Sequence, residues 1–363
     1  MRPVMLGMVL VIAGMGALAG PVSAARAVSG IRLAQSIYSA FPQLSWLGRA
    51  VTTQSTLSYG SDGRLTVMVV GSDFRYTRPN GERMDSVIVV TINPSTKQVA
   101  AVSIPRDTGN LPLPDPDDTY HGKVNSLYSH YRNLGQSREQ ALDSMRATVA
   151  YALQVQIDYV AMTRFPGFDY LVDQLGGVNV DIPLEIRDTR IWDASGKPPG
   201  AKFLAGTNVR EDGTSAVRCF GTPKPITNWN NVPDCHHALI YVRSRHGSVG
   251  VKNNNDYKRD ARQQAFLMAA LRRIVIRGNG ATLTSMRDAA LTQPLDIYTT
   301  LPIASDGDLL AMFDLLNGAQ NVPLLSAVLK PNKYSYHVAG TRRYELKLDA
   351  VRALTAAWFA TVP

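Results

Sequence analysis

The chain has 363 residues, 45% of them hydrophobic, enough to bury one large core or two smaller ones. Thirty-eight basic against 29 acidic residues give a net charge of +9, so anionic partners fit. Phosphorylated lipids, anionic polymers and the membrane surface all suit that charge; no nucleic acid is expected, because there is no long Lys/Arg run and no aromatic–basic interleaving.

Residues 1–24 set the compartment. An uncharged apolar run, 4–19, follows Arg2 and precedes Pro21-Val22-Ser23-Ala24, a small-residue cleavage pattern. A cleaved signal peptide and a retained membrane anchor both fit, and either one puts the rest of the chain outside the cytoplasm, attached to or associated with the membrane. Residues 25–63 read as a linker with one weakly amphipathic piece at 31–38.

The stretch from Leu65 to Asp107 organises the rest of the chain. Runs at 65–70 and 87–92 are short, β-branched and almost continuously apolar, as in strands buried on both faces. Residues 98–104 are similar, and Asn93-Pro94-Ser95-Thr96-Lys97 is a tight turn by its chemistry. If sequential strands pair as neighbours, Asp73, Asp85 and Arg106 meet at one end of the sheet. Two carboxylates and a guanidinium there suit a divalent cation and a phosphate.

Next comes an irregular, mobile Pro/Asp loop at 111–121, then Lys123-Val124-Asn125. Residues 137–153 form a helix: Ser137 and Gln140 make a capping box, and Ala141, Leu142, Met145, Val149, Ala152 and Leu153 form one apolar stripe. Residues 155–162 read as a strand, 165–175 as a helix closed by Gly176-Gly177, and 178–182 as another strand. Strands alternating with helices imply an α/β layer architecture around a mixed sheet.

Residues 185–236 read as an irregular surface insertion. It holds the chain's two cysteines, Cys219 and Cys235, which in an exported protein suit a disulfide worth about 3 kcal/mol in loop entropy. His236 and His237 follow, but the spacing matches no zinc pattern. Residues 238–245 read as a strand with Leu239, Tyr241, Arg243 and Arg245 on one face. Two arginines projecting together repel unless an anion lies between them; a solvated strand edge is the plainer reading.

The helix at 256–276 carries an apolar stripe of Phe266, Leu267, Ala270, Leu271 and Ile274. Asp256, Arg259 and Gln263 extend that stripe backward, whereas Arg262, Arg272 and Arg273 point elsewhere. Polar groups on a core-facing stripe need partners: either an internal ion pair of Asp256 with another arginine, or a pocket in which Arg259 and Gln263 hold a ligand, which is the favoured reading. Residues 278–363 offer further strand and helix material that completes the layers.

With these blocks assembled, the sequence resembles the LytR-CpsA-Psr family of envelope proteins. The likeness runs through G-S-D-F-R (71–75), M-D-S-V (84–87), S-I-P-R-D (103–107), K-V-N-S-L-Y (123–128), L-V-D-Q-L-G-G-V-N-V-D-I-P (171–183), A-L-I-Y-V-R-S-R (238–245) and D-Y-K-R-D-A-R-Q-Q (256–264). It implies a three-layer α/β/α sandwich around a mixed sheet, with a catalytic domain over 64–277. It also implies a phosphotransferase that moves a glycopolymer from a polyprenyl-pyrophosphate carrier onto a peptidoglycan acceptor. Magnesium, with manganese as its substitute, would be held by Asp73 and Asp85, and the pyrophosphate by Arg106, Arg243, Arg245 and Arg259 with Gln263 beside them. Arg75 and Lys123 are candidate second members of that shell. Asp73, Asp85, Arg106 and Arg245 would carry the catalysis. The insertion and the extra residues 246–255 depart from the family pattern. A hydrolase of lipid pyrophosphates and a non-catalytic polyprenyl-phosphate-binding protein are the competing readings.

Overall fold

The computed structural model describes residues 55–74, 81–115, 118–188, 190, 201–203, 217–219, 237–277, 280–292, 296–319 and 322–360. The expected export segment, the piece at 31–38, Arg75 and Cys235 lie outside the described residues, and with Cys235 the expected disulfide. Among the described residues no helix is long and apolar enough to cross a membrane.

The central sheet grows from β1 (Leu65–Ser72), β2 (Met84–Ile92) and β3 (Val99–Ser103). Both joints are antiparallel, with Gly71 opposite Ser86 and Ile88 opposite Ser103. The up-down-up path therefore brings the ends carrying Asp73, Asp85 and Arg106 together. β6 (Tyr159–Thr163) lies parallel to β1, and β12 (Ile297–Thr299) and β13 (Leu325–Val328) close the two edges, giving the order β12-β6-β1-β2-β3-β13. The sheet is mixed, as expected.

Its side chains alternate between two apolar layers. Val87 and Val89 face the cluster shared with α2 (Arg138–Leu153) and α8 (Leu348–Trp358). Ile88, Val90 and Ile92 face the cluster shared with α5 (Asp256–Arg277) and α7 (Asp306–Ala319). A sheet covered on both faces explains the unbroken apolar runs of β1–β3. The result is the expected α/β/α sandwich. In α2 the Ser137 hydroxyl accepts from Gln140 N, and the Gln140 side chain accepts from Ser137 N at 2.8 Å, completing the capping box.

Several expected elements differ. The loop at 111–121 is instead a hairpin of β4 (Thr108–Pro112) and β5 (Thr119–Lys123), with Leu111 paired to Tyr120 and both buried. Its Pro/Asp composition marks only the turn. The strand at 155–162 starts later, at Tyr159. Residues 178–182 pair with no strand among the described residues, although Val178, Val180 and Ile182 are buried. They pack on α3 (Phe165–Gln174), so the alternation records burial on a neighbouring layer, not a sheet ladder.

Among its described residues the insertion, expected to be irregular, carries strands. β7 (Ile186–Asp188), β8 (Ala201–Phe203) and β9 (Val217–Cys219) form a small sheet with β10 (Ser248–Val249) and β11 (Lys252–Asn253). Residues 238–245 are not a strand. Helix α4 (His237–Arg243) occupies the position, and Leu239, Ile240, Tyr241 and Val242 are all buried. A short run that is apolar on every side has no periodicity to separate helix from strand. The remaining elements are α1 (Leu127–Asn133), α6 (Gly280–Thr292) and the pair β14 (Ser335–His337) and β15 (Tyr344–Leu346), which extends the β4–β5 hairpin into a four-stranded sheet.

Candidate active site

A cavity of about 850 Å³ opens beside the carboxyl end of β1 and runs between the central sheet and helices α3, α5, α6 and α7. That volume falls in the range of small-molecule sites. Its depths are apolar, with walls from Val67, Leu171, Leu267, Leu271, Met312 and Phe313. The α5 stripe of Phe266, Leu267, Ala270, Leu271 and Ile274, expected as core, lines this cavity along its whole length.

Charged groups collect at the mouth. Asp73, Asp85, Arg106, Arg243, Arg245, Arg259 and Gln263 all contribute to the lining. The chain thus gathers seven of the nine expected site residues, drawn from β1, β2, the end of β3, α4 and α5. Arg75 lies outside the described residues. Lys123 is not in the lining: its ammonium is paired with Asp107 at 2.5 Å.

Each arginine is held differently. Arg106 donates from Nη1 to Asp85 Oδ2 at 2.8 Å, and its Nε lies 3.6 Å from Asp256 Oδ1. Arg243, in the last turn of α4, stacks its guanidinium 4.3 Å from the centre of the Phe165 ring. Arg245 lies just past that helix and reaches Asp256 Oδ1 at 3.2 Å. Helix α4 therefore aims the two arginines by a turn and its exit, where a strand would have placed them side by side on one face. Arg259 is buried and makes four hydrogen bonds: to Asp256, twice to Asp260, and to the Asp85 carbonyl. Gln263 donates to the Val242 carbonyl at 3.0 Å, tying α5 to α4.

Asp256 is the hub that these contacts share. The ion-pair reading of the α5 stripe holds: the acid is paired with Arg259, Arg245 and Arg106, and those three arginines, with Gln263, line the pocket. Burial pushes the Asp256 carboxyl up, but Arg259, Arg245 and Arg106 outweigh it and hold it below the usual range. Asp260 behaves oppositely. Its burial outweighs the attraction of Arg259 and moves the carboxyl up to about 6. Arg259 also loses solvation, yet Asp260 and Asp256 keep its pKa above the ordinary value.

Other functional neighbours had no signal in the sequence. Fully buried Asp188 accepts at Oδ2 from the Ser244 hydroxyl and from the backbone N–H of Arg245 and His246, which fixes the loop bearing Arg245. Gly247 follows at φ +73°, and a Cβ there would overlap the Arg187 carbonyl, so the turn requires glycine. Arg262, expected to point away from the core-facing stripe, is also buried and donates to the carbonyls of Tyr241 and Ser244. Arg273, likewise, donates to the Leu175 carbonyl.

Behind Asp73 sits a second ion pair. Glu82 receives Arg164 through two hydrogen bonds, 2.9 and 3.0 Å, and accepts from the Ser72 hydroxyl at 2.5 Å. Phe74 N donates to the same hydroxyl, and Arg164 lies 3.7 Å over the Phe74 ring. The residues on either side of Asp73 are therefore clamped, and Asp73 N itself donates to the Arg83 carbonyl.

Could the mouth hold a divalent cation? Asp85 Oδ1 accepts from Asn125 Nδ2 at 3.2 Å, while Asn125 Oδ1 is buried with no hydrogen-bond partner. Two carboxylates and an orphaned amide oxygen are hard donors of the type magnesium takes. No group of three or more His, Cys, Asp or Glu able to hold a metal occurs among the described residues. The set thus fits an ion that shares its shell with substrate oxygens or water.

An α/β/α sandwich with a guanidinium-rich mouth over a deep apolar cavity defines a protein suited to an anionic head on an apolar tail. Residues 43–222 match the LytR_cpsA_psr family. That stretch, just under half of the chain, belongs to the LytR-CpsA-Psr family. It is 30% identical over 130 residues to the polyisoprenyl-teichoic acid–peptidoglycan teichoic acid transferase TagV of Bacillus subtilis, covering 36% of this chain and 31% of that one. It is 31% identical over 153 residues to the TagU transferase of Bacillus mycoides, covering 41% and 45%. The matched stretch thus spans less than half the length of these curated relatives. Among solved structures, B. subtilis TagV superposes with a TM-score of 0.54 at 21% identity, covering 84% of this chain and all of that one. TagT bound to LIIa-WTA gives 0.51 at 19% identity, covering 85% and 96%. These likenesses carry the fold.

Proposed function

We propose that this chain is an extracytoplasmic phosphotransferase, moving a glycopolymer from a polyprenyl-pyrophosphate carrier onto peptidoglycan. The observation that carries this reading is one cavity with guanidiniums and carboxylates at its mouth and an apolar interior. A pyrophosphate linking sugar to lipid has that shape: charge at one end, hydrocarbon at the other. The names of the TagV and TagU relatives, which specify polyisoprenyl-linked teichoic acid and peptidoglycan, support the same substrate classes.

Binding of the tail between the central sheet and α5 would seat the pyrophosphate against Arg106, Arg243 and Arg245. Charge grows on the departing phosphate during phosphoryl transfer, and preorganised cations lower the barrier most where that charge develops. Arginine suits the task because its planar donors grip phosphate in pairs. Asp256 and Asp260 keep the cluster assembled before substrate arrives. We assign magnesium to Asp73 and Asp85, where it would neutralise phosphate oxygens when bound. Asp73 also accepts the proton of the attacking acceptor hydroxyl in this scheme.

Purified lipid-linked substrate incubated with and without peptidoglycan tests the reading: a transferase yields a covalent adduct, a hydrolase only free polymer. Asp73→Ala and Arg245→Ala are expected to lose transfer while keeping the fold by circular dichroism. Full transfer by either variant overturns the assignment. A polyprenyl phosphate species detected by mass spectrometry in the purified protein would identify the tail.

A further inference from the structure

Resting on the transferase reading above, we propose that Tyr257, Tyr344 and His337 form an aromatic wall beside the charged mouth that binds a pyranose ring of the saccharide next to the phosphate.

The wall is assembled from two directions. β15 lies parallel to β4, the strand that leaves the sheet directly after Arg106 and Asp107, and Tyr344 N donates to the Asp107 carbonyl at 3.1 Å. Tyr257 follows the hub acid Asp256 in the first turn of α5. The two tyrosines therefore stand next to the acids flanking Arg106. Their ring centroids lie 5.9 Å apart at 81°, and His337 stands 5.3 Å from Tyr344 at 70°.

Strand parity sets two of these rings on one face. Ser335 pairs with Leu346, and both are buried. Two residues along each strand, on the same face, His337 pairs with Tyr344. His337 is exposed, and Tyr257 and Tyr344 are half-buried. None of the three lines the cavity or its mouth, so the wall stands outside both and adjoins the mouth only through Asp256 and Asp107. Burial, the hydrogen bond to Tyr344 and nearby Asp107 and Asp256 all push the Tyr257 phenol up, so it stays a neutral hydroxyl. Edge-to-face rings with fixed hydroxyls offer π-faces for the C–H side of a sugar and polar atoms for its hydroxyls.

A pyranose could come from the acceptor glycan or from the carried polymer, and the experiment separates the two. The full chain, labelled on its six histidines, is titrated by NMR with soluble peptidoglycan glycan strands and, separately, with lipid-free teichoic acid. The His337 ring signal, assigned through His337→Gln, is expected to shift with one probe: glycan strands mark an acceptor subsite, teichoic acid a donor subsite. His337→Ala and Tyr344→Leu should each weaken that probe roughly three- to tenfold. The shift should persist in Arg245→Ala, which separates the wall from the pyrophosphate site. A wild type that never turns over lipid pyrophosphate would refute the transferase reading and leave this titration to be judged by itself. No His337 shift with either probe, or unchanged affinity in His337→Ala, overturns the wall and leaves it as packing at the edge of the core.

Discussion

Replacing Glu82 with alanine should disable the site from behind. The Glu82 carboxylate is 6% exposed and holds Arg164, itself 11% exposed, by two N–H bonds, while also accepting from Ser72. Removing one member of such a pair strands the other as a buried charge, at a cost of about 3–5 kcal/mol. For a chain of this size that corresponds to a melting temperature lower by about 4–7 °C. Loss of the pair also frees Arg164 from Phe74 and Ser72 from its anchor, so Asp73 loses the clamp on both sides. Transfer should then fall further than stability explains, even at a temperature where the variant is folded. Glu82→Leu combined with Arg164→Met removes both charges and should recover most of the melting temperature but not the transfer rate. The assay is thermal unfolding by circular dichroism with initial rates on lipid-linked substrate. A Glu82→Ala variant that melts within a degree of the wild type with full turnover would refute this reasoning.

Asp188→Ala leaves the Ser244 hydroxyl and two backbone N–H groups without their acceptor, at about 2–4 kcal/mol; urea unfolding should show that loss, and turnover should drop because Arg245 loses its anchor. The Asp260 carboxyl titrates higher in the folded chain, about 6, than in the unfolded one, so the native state holds this proton longer and its protonation favours folding. The contribution is therefore present below about pH 4 and is lost as pH rises through 6, on the order of 3 kcal/mol. Urea midpoints of wild type and Asp260→Asn compared across pH 4–7 should diverge in that sense; parallel profiles would count against it. Ala270→Trp fills the cavity at a partly buried position, so lipid recovered with the protein should fall at least tenfold with melting changed by no more than about 2 °C.

The sheet and its charged end were legible because continuous β-branched runs and a Pro-containing turn leave few alternatives. Asp73, Asp85 and Arg106 followed from strand direction alone. Helix α4 was not legible: Leu239 to Val242 are buried on every side, and such a run reads equally well in either period. The hairpin β4–β5 was hidden because Pro112 and Pro114 suggest irregularity, while Leu111 and Tyr120 find partners only across the turn. The counter-ions were hidden for a different reason. Asp188, Asp260 and Glu82 bond to groups from 1 to 82 residues away, and an isolated acid in a sequence does not announce which donor it will meet.

The arginines stood out in the sequence because they come paired or in register on a helix, but that same crowding is a structural problem before any ligand binds. Three guanidiniums sharing one small space repel unless acids divide their charge. Asp256 Oδ1 lies 2.7, 3.2 and 3.6 Å from Arg259, Arg245 and Arg106, so one oxygen serves all three. A single oxygen cannot use that many donors at once: Arg106 Nε is left without a hydrogen-bond acceptor. Asp256 and Arg245 are each about one-third exposed, whereas Arg259 is 4% exposed and fully engaged. Arg259 therefore acts as the fixed post of the cluster, and in the proposed scheme Arg106, Arg243 and Arg245 are the cations that meet an incoming phosphate.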